Sequence, residues 1–332
     1  ESTGRATGSS DMTKIDARNP RKLAEAAAGR AVRVLEPSPP AVSEGPWFAD
    51  DPTDLSDQPD AVSPTSAGTT TWSHLIAEQP SLSAFARDHW LAAYPPLPPL
   101  PPSYRPALED YHRLAYGVLS NARKQANGKI GLRFTRGGFG TPFFGDDEQA
   151  RVQGTLLIRQ RGTEAASEPI STLTAAARFF DAPVNDDQAE HDTVALGDLD
   201  RPLQVSEAVG DFLGSWFGFA TSVLEEARLL GTAPDDAVTP VQIWPGHFDP
   251  AIEIGDADSG RRATYGASPG DGGHDAPYLY VASWGEVDRN LAFWNGAGFN
   301  GASLPYDQIV DAEDPRSLAL AFFSQGYDIL HA

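Results

Sequence analysis

One segment restricts the fold of this chain more than any other. Residues 206–230 have the spacing of a long helix, and Gly231 follows as a residue that ends helices. Nine apolar residues share one side of this helix: Val209, Phe212, Leu213, Trp216, Phe217, Ala220, Val223, Leu224 and Ala227. Such a side must be buried in a core, and the content of 7 Trp, 16 Phe and 9 Tyr is large enough to build one.

The chain has no cysteine, which excludes disulfides, thiolate nucleophiles, Cys-ligated zinc and iron–sulfur clusters. Its formal net charge is −21, from 46 acidic and 25 basic residues. Because this charge repels phosphate groups and anionic lipids, binding to nucleic acid or to a membrane surface would need a local basic patch, and we expect no binding of nucleic acid. No segment resembles a signal peptide or approaches the length of an apolar membrane span. The sequence therefore predicts a soluble, cytoplasmic protein without membrane insertion.

Periodic patterns divide the rest of the body into helices and strands. A helix is predicted over residues 107–124, with one face formed by Leu108, Tyr111, Ala115, Val118, Leu119 and Ala122. Two more helices are predicted, over 172–180 and from Asp314-Pro315 to about residue 330. Strands are predicted over residues 129–135, 151–160, 241–244, 251–254, 262–265 and 278–284. The glycine-rich stretch 137–145 is interpreted as a bulged hairpin turn, and the acidic stretch 181–200 as a solvated loop.

This order predicts an α+β fold of antiparallel sheets flanked by helices. The two halves of the body, residues 107–180 and 205–332, share the order helix, strands, helix. Residues 118–123 (VLSNAR) match 223–228 (VLEEAR), and each closing helix carries a Phe-Phe pair. Two interpretations remain open. One is an internal duplication that gives two pseudo-repeated halves with a cleft between them, and the other is coincidence between helices of similar composition.

The N-terminal part differs in composition from the body. Residues 1–71 are predicted to be a leader and an extended arm rich in Pro and Asp, with a short helix over 22–29 and a strand over 31–35. Residues 72–106 are predicted to hold a helix over 80–94 and a polyproline strap, followed by the α+β body over 107–332. The acidic, proline-rich arm is the predicted contact for a protein partner.

The most unusual residues of the body lie between positions 241 and 284. His247 and Asp249 are two residues apart, so on an extended backbone both side chains would point to the same face. They could form an oriented base or two ligands of a metal ion, and Asp271 and His274 could complete either arrangement. The predicted catalytic set is His247, Asp249, Tyr265, Asp271 and His274, with His247 and Asp249 as the ligands if a metal binds. No cofactor is indicated by these residues.

A structural interpretation of the same residues also remains open, because their spacing matches no zinc motif such as HExxH. In that interpretation the histidine caps a turn, and the aspartate accepts hydrogen bonds from backbone amides. Residues 266–273 could present N–H groups to an anion, but they lack the lysine of a P-loop and the GxGxxG order of a dinucleotide turn. Ser268 has no GxSxG context, which argues against a serine hydrolase.

Five segments resemble the hallmark segments of an actinobacterial protein family. They are residues 32–41 (VRVLEPSPPA), 48–52 (FADDP), 131–145 (GLRFTRGGFGTPFFG), 244–249 (WPGHFD) and 263–271 (ATYGASPGD). The resemblance covers nearly everything from about residue 19 onward, and it implies that the N-terminal arm belongs to the protein. The family has no assigned activity, so the resemblance implies no reaction, ligand or cofactor.

Three functions are compatible with these features. The first is a non-catalytic protein that binds a small molecule or a protein partner. The second is an enzyme, with or without a metal, whose cleft lies beside His247 and Asp249. In that enzyme His247 would be the base or ligand, Asp249 would orient it, and Tyr265 or His274 would contact the substrate. The third is an accessory subunit of a larger assembly.

Overall fold

The computed structural model describes residues 97–135, 137–142, 144, 148–161, 164–185 and 193–332, together with the short paired strands β1 (Asp60–Ala61) and β2 (Thr70–Thr71). The helices predicted over residues 22–29 and 80–94 and the strand predicted over 31–35 lie outside these residues. Most of the acidic arm lies outside them as well, so its predicted contact with a protein partner stays a prediction.

The body begins with a helical segment in three parts. Helix α1 (Tyr104–Leu114) continues into a π-helical turn (Ala115–Leu119) and then into α2 (Ser120–Asn127). Gly128 ends the segment in the left-handed region, with φ of 78°, which glycine adopts without steric cost. All six apolar residues predicted for one face are buried, so the helix predicted over 107–124 is confirmed and is longer at both ends.

An antiparallel sheet follows, and its strands lie in chain order. They are β3 (Arg133–Thr135), β4 (Gly138–Gly140), β5 (Glu148–Gln153), β6 (Leu156–Arg161) and β7 (Glu164–Pro169). Helix α3 (Leu173–Phe180) comes next, and the hydroxyl of its N-cap residue Thr172 accepts a hydrogen bond from the backbone N–H of Ala175 at 3.0 Å. The helix predicted over 172–180 is confirmed.

Two predictions for this first sheet are wrong. The single strand predicted over residues 151–160 is two strands, because Gly154 has φ of 53° and reverses the chain. The stretch 137–145 is more than a hairpin turn, since strand β4 lies within it. Its glycines allow strands to approach closely: a Cβ on Gly138 would lie 2.1 Å from the carbonyl oxygen of Val152.

Helix α4 (Glu207–Ala227) is the long helix that the sequence predicts. Ser206 caps it by accepting a hydrogen bond from the backbone N–H of Val209, and a 3-10 turn (Arg228–Leu230) extends it to residue 230. All nine apolar residues predicted for its buried side are at most 1 % exposed. Neither α4 nor any other helix in the described part of the chain is long and apolar enough to cross a lipid bilayer.

The second sheet is antiparallel, with the order β13-β12-β11-β10-β8, and β9 also pairs with β10. Its strands are β8 (Ala237–Val238), β9 (Gln242–Trp244), β10 (Asp249–Gly255), β11 (Ala263–Ser268), β12 (Tyr278–Ser283) and β13 (Gly301–Pro305). Helices α5 (Tyr306–Val310) and α6 (Pro315–Leu330) follow, and α6 begins at the predicted Asp314-Pro315 pair. The four strands predicted here are confirmed with shifted ends, whereas β8 and β13 were not predicted.

The two sheets contact each other and share the central helix. Leu132, directly before β3, exchanges two backbone hydrogen bonds with Ile243 of β9, at N···O distances of 2.9 and 2.7 Å. Helix α4 contacts β3, β4 and β5 of the first sheet and β10 and β11 of the second. The fold is therefore α+β, with antiparallel sheets flanked by helices. The origin of its two halves by duplication stays a prediction.

Candidate ligand-binding cleft

The second sheet packs against helices on one face and borders a cavity of about 770 Å³ on the other. Ile252, Tyr265 and Val281 are paired across β10, β11 and β12 and are fully buried on the helix face. Because side chains alternate along a strand, their neighbours point to the cavity face. These neighbours are Asp249 and Glu253 of β10, Thr264 and Ser268 of β11, and Tyr278, Tyr280 and Ala282 of β12.

The helical segment from α1 to α2 forms the opposite wall of the cavity. His112, Tyr116, Ser120 and Lys124 all border the cavity and are four residues apart. Four residues exceed one α-helical turn of about 3.6 residues, so such a row would drift around a regular α-helix. The π-helical turn has more residues per turn, and it therefore helps to keep the row on the cavity side.

The residues between β9 and β10 form a tight turn, unlike the extended backbone that we expected for His247 and Asp249. Phe248 has φ of 59°, a left-handed conformation that is unfavourable for a bulky residue. Its ring is held in the core by Phe139 and Phe217, at centroid distances of 4.8 and 5.1 Å. His247 is consequently exposed at the edge of the cavity, whereas Asp249 is buried at its base.

His112 attaches this turn to helix α1. Its ring stacks on Phe248 with 5.4 Å between centroids, and its Nε2–H donates to the carbonyl oxygen of Pro245 at 2.9 Å. Desolvation lowers the pKa of His112 to about 4, so the ring is neutral at pH 7. His112 therefore gives the cavity a polar wall that carries no charge at this pH.

We expect His112 to destabilise the fold in mild acid. The unfolded chain takes up a proton on this histidine below its ordinary pKa of about 6.5, whereas the native state resists protonation down to about 4. The stability that depends on neutral His112 is thus complete above pH 6.5 and is lost as the pH falls towards 4. Between pH 7 and pH 4.5 the free energy of unfolding of the wild type should fall by roughly 2 kcal/mol more than that of His112→Gln. Urea unfolding at both pH values measures the difference, and equal losses would show that the ring is not desolvated.

Asp249 is the most enclosed acidic side chain of the cavity, with 4 % exposure. The Tyr280 hydroxyl donates a hydrogen bond to its Oδ2. Its Oδ1 is closed to solvent and has no hydrogen-bond partner among the described residues. Burial raises the pKa of Asp249, and the opposing effects of the Tyr280 hydrogen bond and of His247 are smaller. This carboxyl group therefore retains a proton more readily than an exposed aspartate does.

Gly266 allows the Tyr280 ring to cross β11 and reach Asp249. The two residues are directly paired, and a Cβ on Gly266 would lie 2.3 Å from Cζ of Tyr280. We expect Gly266→Ala to displace the ring, break its hydrogen bond and lower the free energy of unfolding by about 1–3 kcal/mol. In the control Gly272→Ala the new methyl group meets no atom within 4 Å. Urea unfolding of both variants is the measurement, and equal stabilities would contradict this packing.

The loop between β11 and β12 provides a second carboxylate, Asp271. Its Oδ2 accepts a hydrogen bond from the Tyr278 hydroxyl at 2.5 Å, and its Oδ1 accepts from the backbone N–H groups of Gly273 and His274 at 2.7 and 2.9 Å. Burial by itself would raise the pKa of Asp271, but these hydrogen bonds lower it below the usual value. The backbone contacts that the structural interpretation assigned to an aspartate are thus made by Asp271.

The predicted catalytic residues occupy three different environments. His247, Asp249 and Asp271 all border the cavity. His274 lies next to it, with its Nδ1 3.0 Å from Oδ1 of Asp271. Tyr265 lies on the helix face of the sheet, is fully buried and does not border the cavity. The structure therefore brings three of the five residues together and separates Tyr265 from them.

Among the lining residues that sequence reasoning missed, His112, Tyr278 and Tyr280 matter most for the chemistry of the cleft. The alternation Tyr278-Leu279-Tyr280 was the available signal, because on a strand it places both tyrosines on the face opposite the leucine. His112 gave no signal of its own, since the apolar face of its helix dominates the pattern there.

The described ranges contain no group of three or more His, Asp or Glu side chains arranged to hold a metal ion. The hypothesis that His247 and Asp249 are metal ligands thus finds no third ligand among these residues.

A comparison of the chain with family models, curated proteins and solved structures finds no match in any of the three. The resemblance to an actinobacterial family stays a prediction.

Proposed function

We propose that this protein binds a small molecule in the cleft on the cavity face of its second sheet. The observation that carries the proposal is Asp249, which is buried at the base of the cavity with one carboxyl oxygen unpartnered among the described residues. Buried polar atoms almost always have a hydrogen-bond partner, and leaving one without a partner costs about 1–3 kcal/mol. A donor group on a ligand would complete the bonding of this oxygen.

The size and walls of the cavity support the same proposal. Its volume of about 770 Å³ lies in the range of small-molecule sites. Apolar and aromatic side chains form much of the wall, and they include Leu108, Tyr116, Ile130, Trp244 and Phe299. Polar and charged side chains from about half of the lining residues are mixed with them, so apolar walls can supply affinity while polar groups select the ligand.

A variant with a filled cavity tests the proposal. Ala282 points into the cavity from β12, so Ala282→Trp should occupy the space that a ligand needs. The matched control is Ala257→Trp, which adds the same side chain at an exposed position away from the cavity. Ligand-observed NMR with a library of small polar aromatic compounds should give hits for the wild type and for Ala257→Trp, and these hits should disappear with Ala282→Trp. Hits that persist in Ala282→Trp, or a library without hits, would contradict binding in this cleft.

Acid–base catalysis in the same cleft is a second candidate function. Two of the four carboxyl groups that border the cavity have pKa values shifted in opposite directions: that of Asp249 is raised by burial, and that of Asp271 is lowered by its hydrogen bonds despite burial. Such a pair can supply a proton donor and an ionised partner. Mass spectrometry of a bound compound after incubation tests this candidate. Conversion by the wild type that Asp249→Asn abolishes would support catalysis, whereas an unchanged compound would leave binding alone.

We further propose a cytoplasmic location, no binding of nucleic acid, and contact of the acidic arm with a protein partner. The binding of a small molecule requires none of them.

A further inference from the structure

We infer that the small molecule carries a protonated amine and that this amine binds Asp249 at the base of the cleft. The inference rests on the proposed function, because it specifies the ligand of the same site. It follows from three features of the cleft: the unused bonding capacity of Asp249, the charge of the surrounding walls and the aromatic rings next to the carboxyl group.

Asp249 and Asp271 differ in their unused bonding capacity. Both oxygens of Asp271 already accept hydrogen bonds, from the hydroxyl of Tyr278 and from two backbone N–H groups. Asp249 accepts one side-chain hydrogen bond, from Tyr280, and its Oδ1 has no partner among the described residues. An ionised carboxylate can accept about four hydrogen bonds, so Asp249 can take donors from a ligand. An ammonium group has three donors and no acceptor, which suits this oxygen.

The charges on the walls favour a cation over an anion. Among the described residues, neither Asp249 nor Asp271 has an ion pair with Lys or Arg. Glu253 also borders the cavity, but it is paired with Arg262, which does not border it. Arg105 borders the cavity at the start of α1, where it lies 3.5 Å from Asp275 and is 40 % exposed. An anionic ligand at the base would meet two carboxyl groups, while an ammonium group would be attracted by both.

Aromatic rings next to Asp249 add to this preference. The rings of Tyr278 and Tyr280 are 6.0 Å apart, and the ring of Phe299 lies 6.5 Å from that of Tyr280. The faces of such rings attract cations, by about 0.5–2 kcal/mol each depending on solvent exposure. These rings and Trp244 also provide apolar surface for the body of the ligand. An aromatic amine therefore fits this part of the cleft better than a compact inorganic cation.

Binding of an amine should favour the ionised form of Asp249. Burial raises the pKa of Asp249 in the empty cleft, and a bound cation favours its ionised form. The charged or titratable groups that border the cavity with it include His247, Tyr280 and Asp271 around the carboxyl group, and Arg105, Glu109, His112 and Lys124 on the helical wall. A neutral analogue of the same shape does not favour the ionised form in this way.

Calorimetric titration with tryptamine and with its neutral isostere tryptophol tests the inference. We expect tryptamine to bind the wild type at least about tenfold more tightly than tryptophol, since charge-assisted hydrogen bonds are roughly twice as strong as neutral ones. In Asp249→Asn the preference for the amine should disappear. The control Asp258→Asn makes the same substitution at an exposed position away from the cavity and should keep the preference.

Two results would overturn the inference and leave the proposed function standing: tryptophol binding as tightly as tryptamine, or an amine preference that persists in Asp249→Asn. Absence of binding by either probe at millimolar concentration would also overturn it, and the filled-cavity variant would then decide the proposed function separately. The comparison of tryptamine with tryptophol uses the wild type alone. It therefore remains decisive if Asp249→Asn does not fold, because equal affinities would then exclude a charged acceptor for the amine.

Discussion

Trp216→Ala is expected to lower the free energy of unfolding by about 3–5 kcal/mol, the range for truncation of a large buried aromatic residue. Trp216 is fully buried on helix α4, and its ring lies 5.9 Å from that of Phe219 and 5.5 Å from that of Tyr306. The substitution leaves a large cavity between α4 and α5, and the surrounding backbone can close it only in part. Urea unfolding at pH 7 measures the loss.

Trp284→Ala provides the matched control for this prediction. Trp284 is 56 % exposed, although its ring lies 4.8 Å from the guanidinium carbon of Arg262 and its Nε1–H donates to Thr264. Its removal should cost only about 1 kcal/mol, because exposed cation–π contacts and hydrogen bonds are weak. A loss for Trp216→Ala that is no larger than for Trp284→Ala would show that the buried face of α4 is not packed as described.

Gly214→Val is expected to destabilise the protein by about 3 kcal/mol, the upper end of the usual range for overpacking. A Cβ on Gly214 would lie 2.6 Å from the carbonyl carbon of Gly137 and 2.8 Å from the backbone nitrogen of Gly138. Helix α4 therefore rests directly on the hairpin between β3 and β4. Backbone atoms cannot move aside as a flexible side chain can, so the helix would have to move away from the first sheet.

Ser215→Val separates this clash from the general cost of a β-branched residue in a helix. Ser215 is the next residue on α4, is only half-buried, and donates to the carbonyl oxygen of Asp211 at 2.9 Å. We expect its substitution to cost less than about 1 kcal/mol. Equal losses for the two valine variants in the same urea experiment would contradict direct contact between α4 and the hairpin.

The helices could be predicted from the sequence because each has a long apolar face that repeats at 3.6 residues. Helix α4 and the segment from α1 to α2 are the clearest examples, since every apolar residue assigned to their faces is buried. Single residues at the ends gave further information: Gly231 limited α4, and Asp314-Pro315 marked the start of α6. The α+β class follows from these helices and from the alternating segments between them.

The wrong strand and turn predictions have a physical cause: these segments depend on contacts with elements that are distant in sequence. Gly138 and Gly140 indicate a turn when taken alone, but β4 needs them because β5 approaches too closely for side chains. The turn at residues 245–248 depends on Phe248, whose left-handed backbone is held by rings from β4 and α4. Contacts between residues so far apart in sequence leave no signal in a local window.

The candidate site was predicted only in part, because it too depends on contacts between residues far apart in sequence. Asp249 and Asp271 were chosen from chemical type and position, and both border the cavity. The role of Tyr280 depends on strand register, because its ring must cross Gly266 to reach Asp249. Register is set by pairing between strands and cannot be read from one strand alone. Tyr265 was placed in the site for its chemistry, but the same alternation that exposes Tyr280 to the cavity buries Tyr265 in the core.

Native mass spectrometry of the full chain isolated from its own cells, with Ala282→Trp expressed and isolated in the same way, tests the central claim most directly. If the cleft binds a small molecule, the wild type should carry a non-covalent adduct in a 1:1 ratio, and the filled-cavity variant should have the bare mass. An adduct of equal abundance on both proteins would place the ligand elsewhere. A bare mass for the wild type under conditions that preserve non-covalent complexes would contradict the claim that this cleft is a binding site.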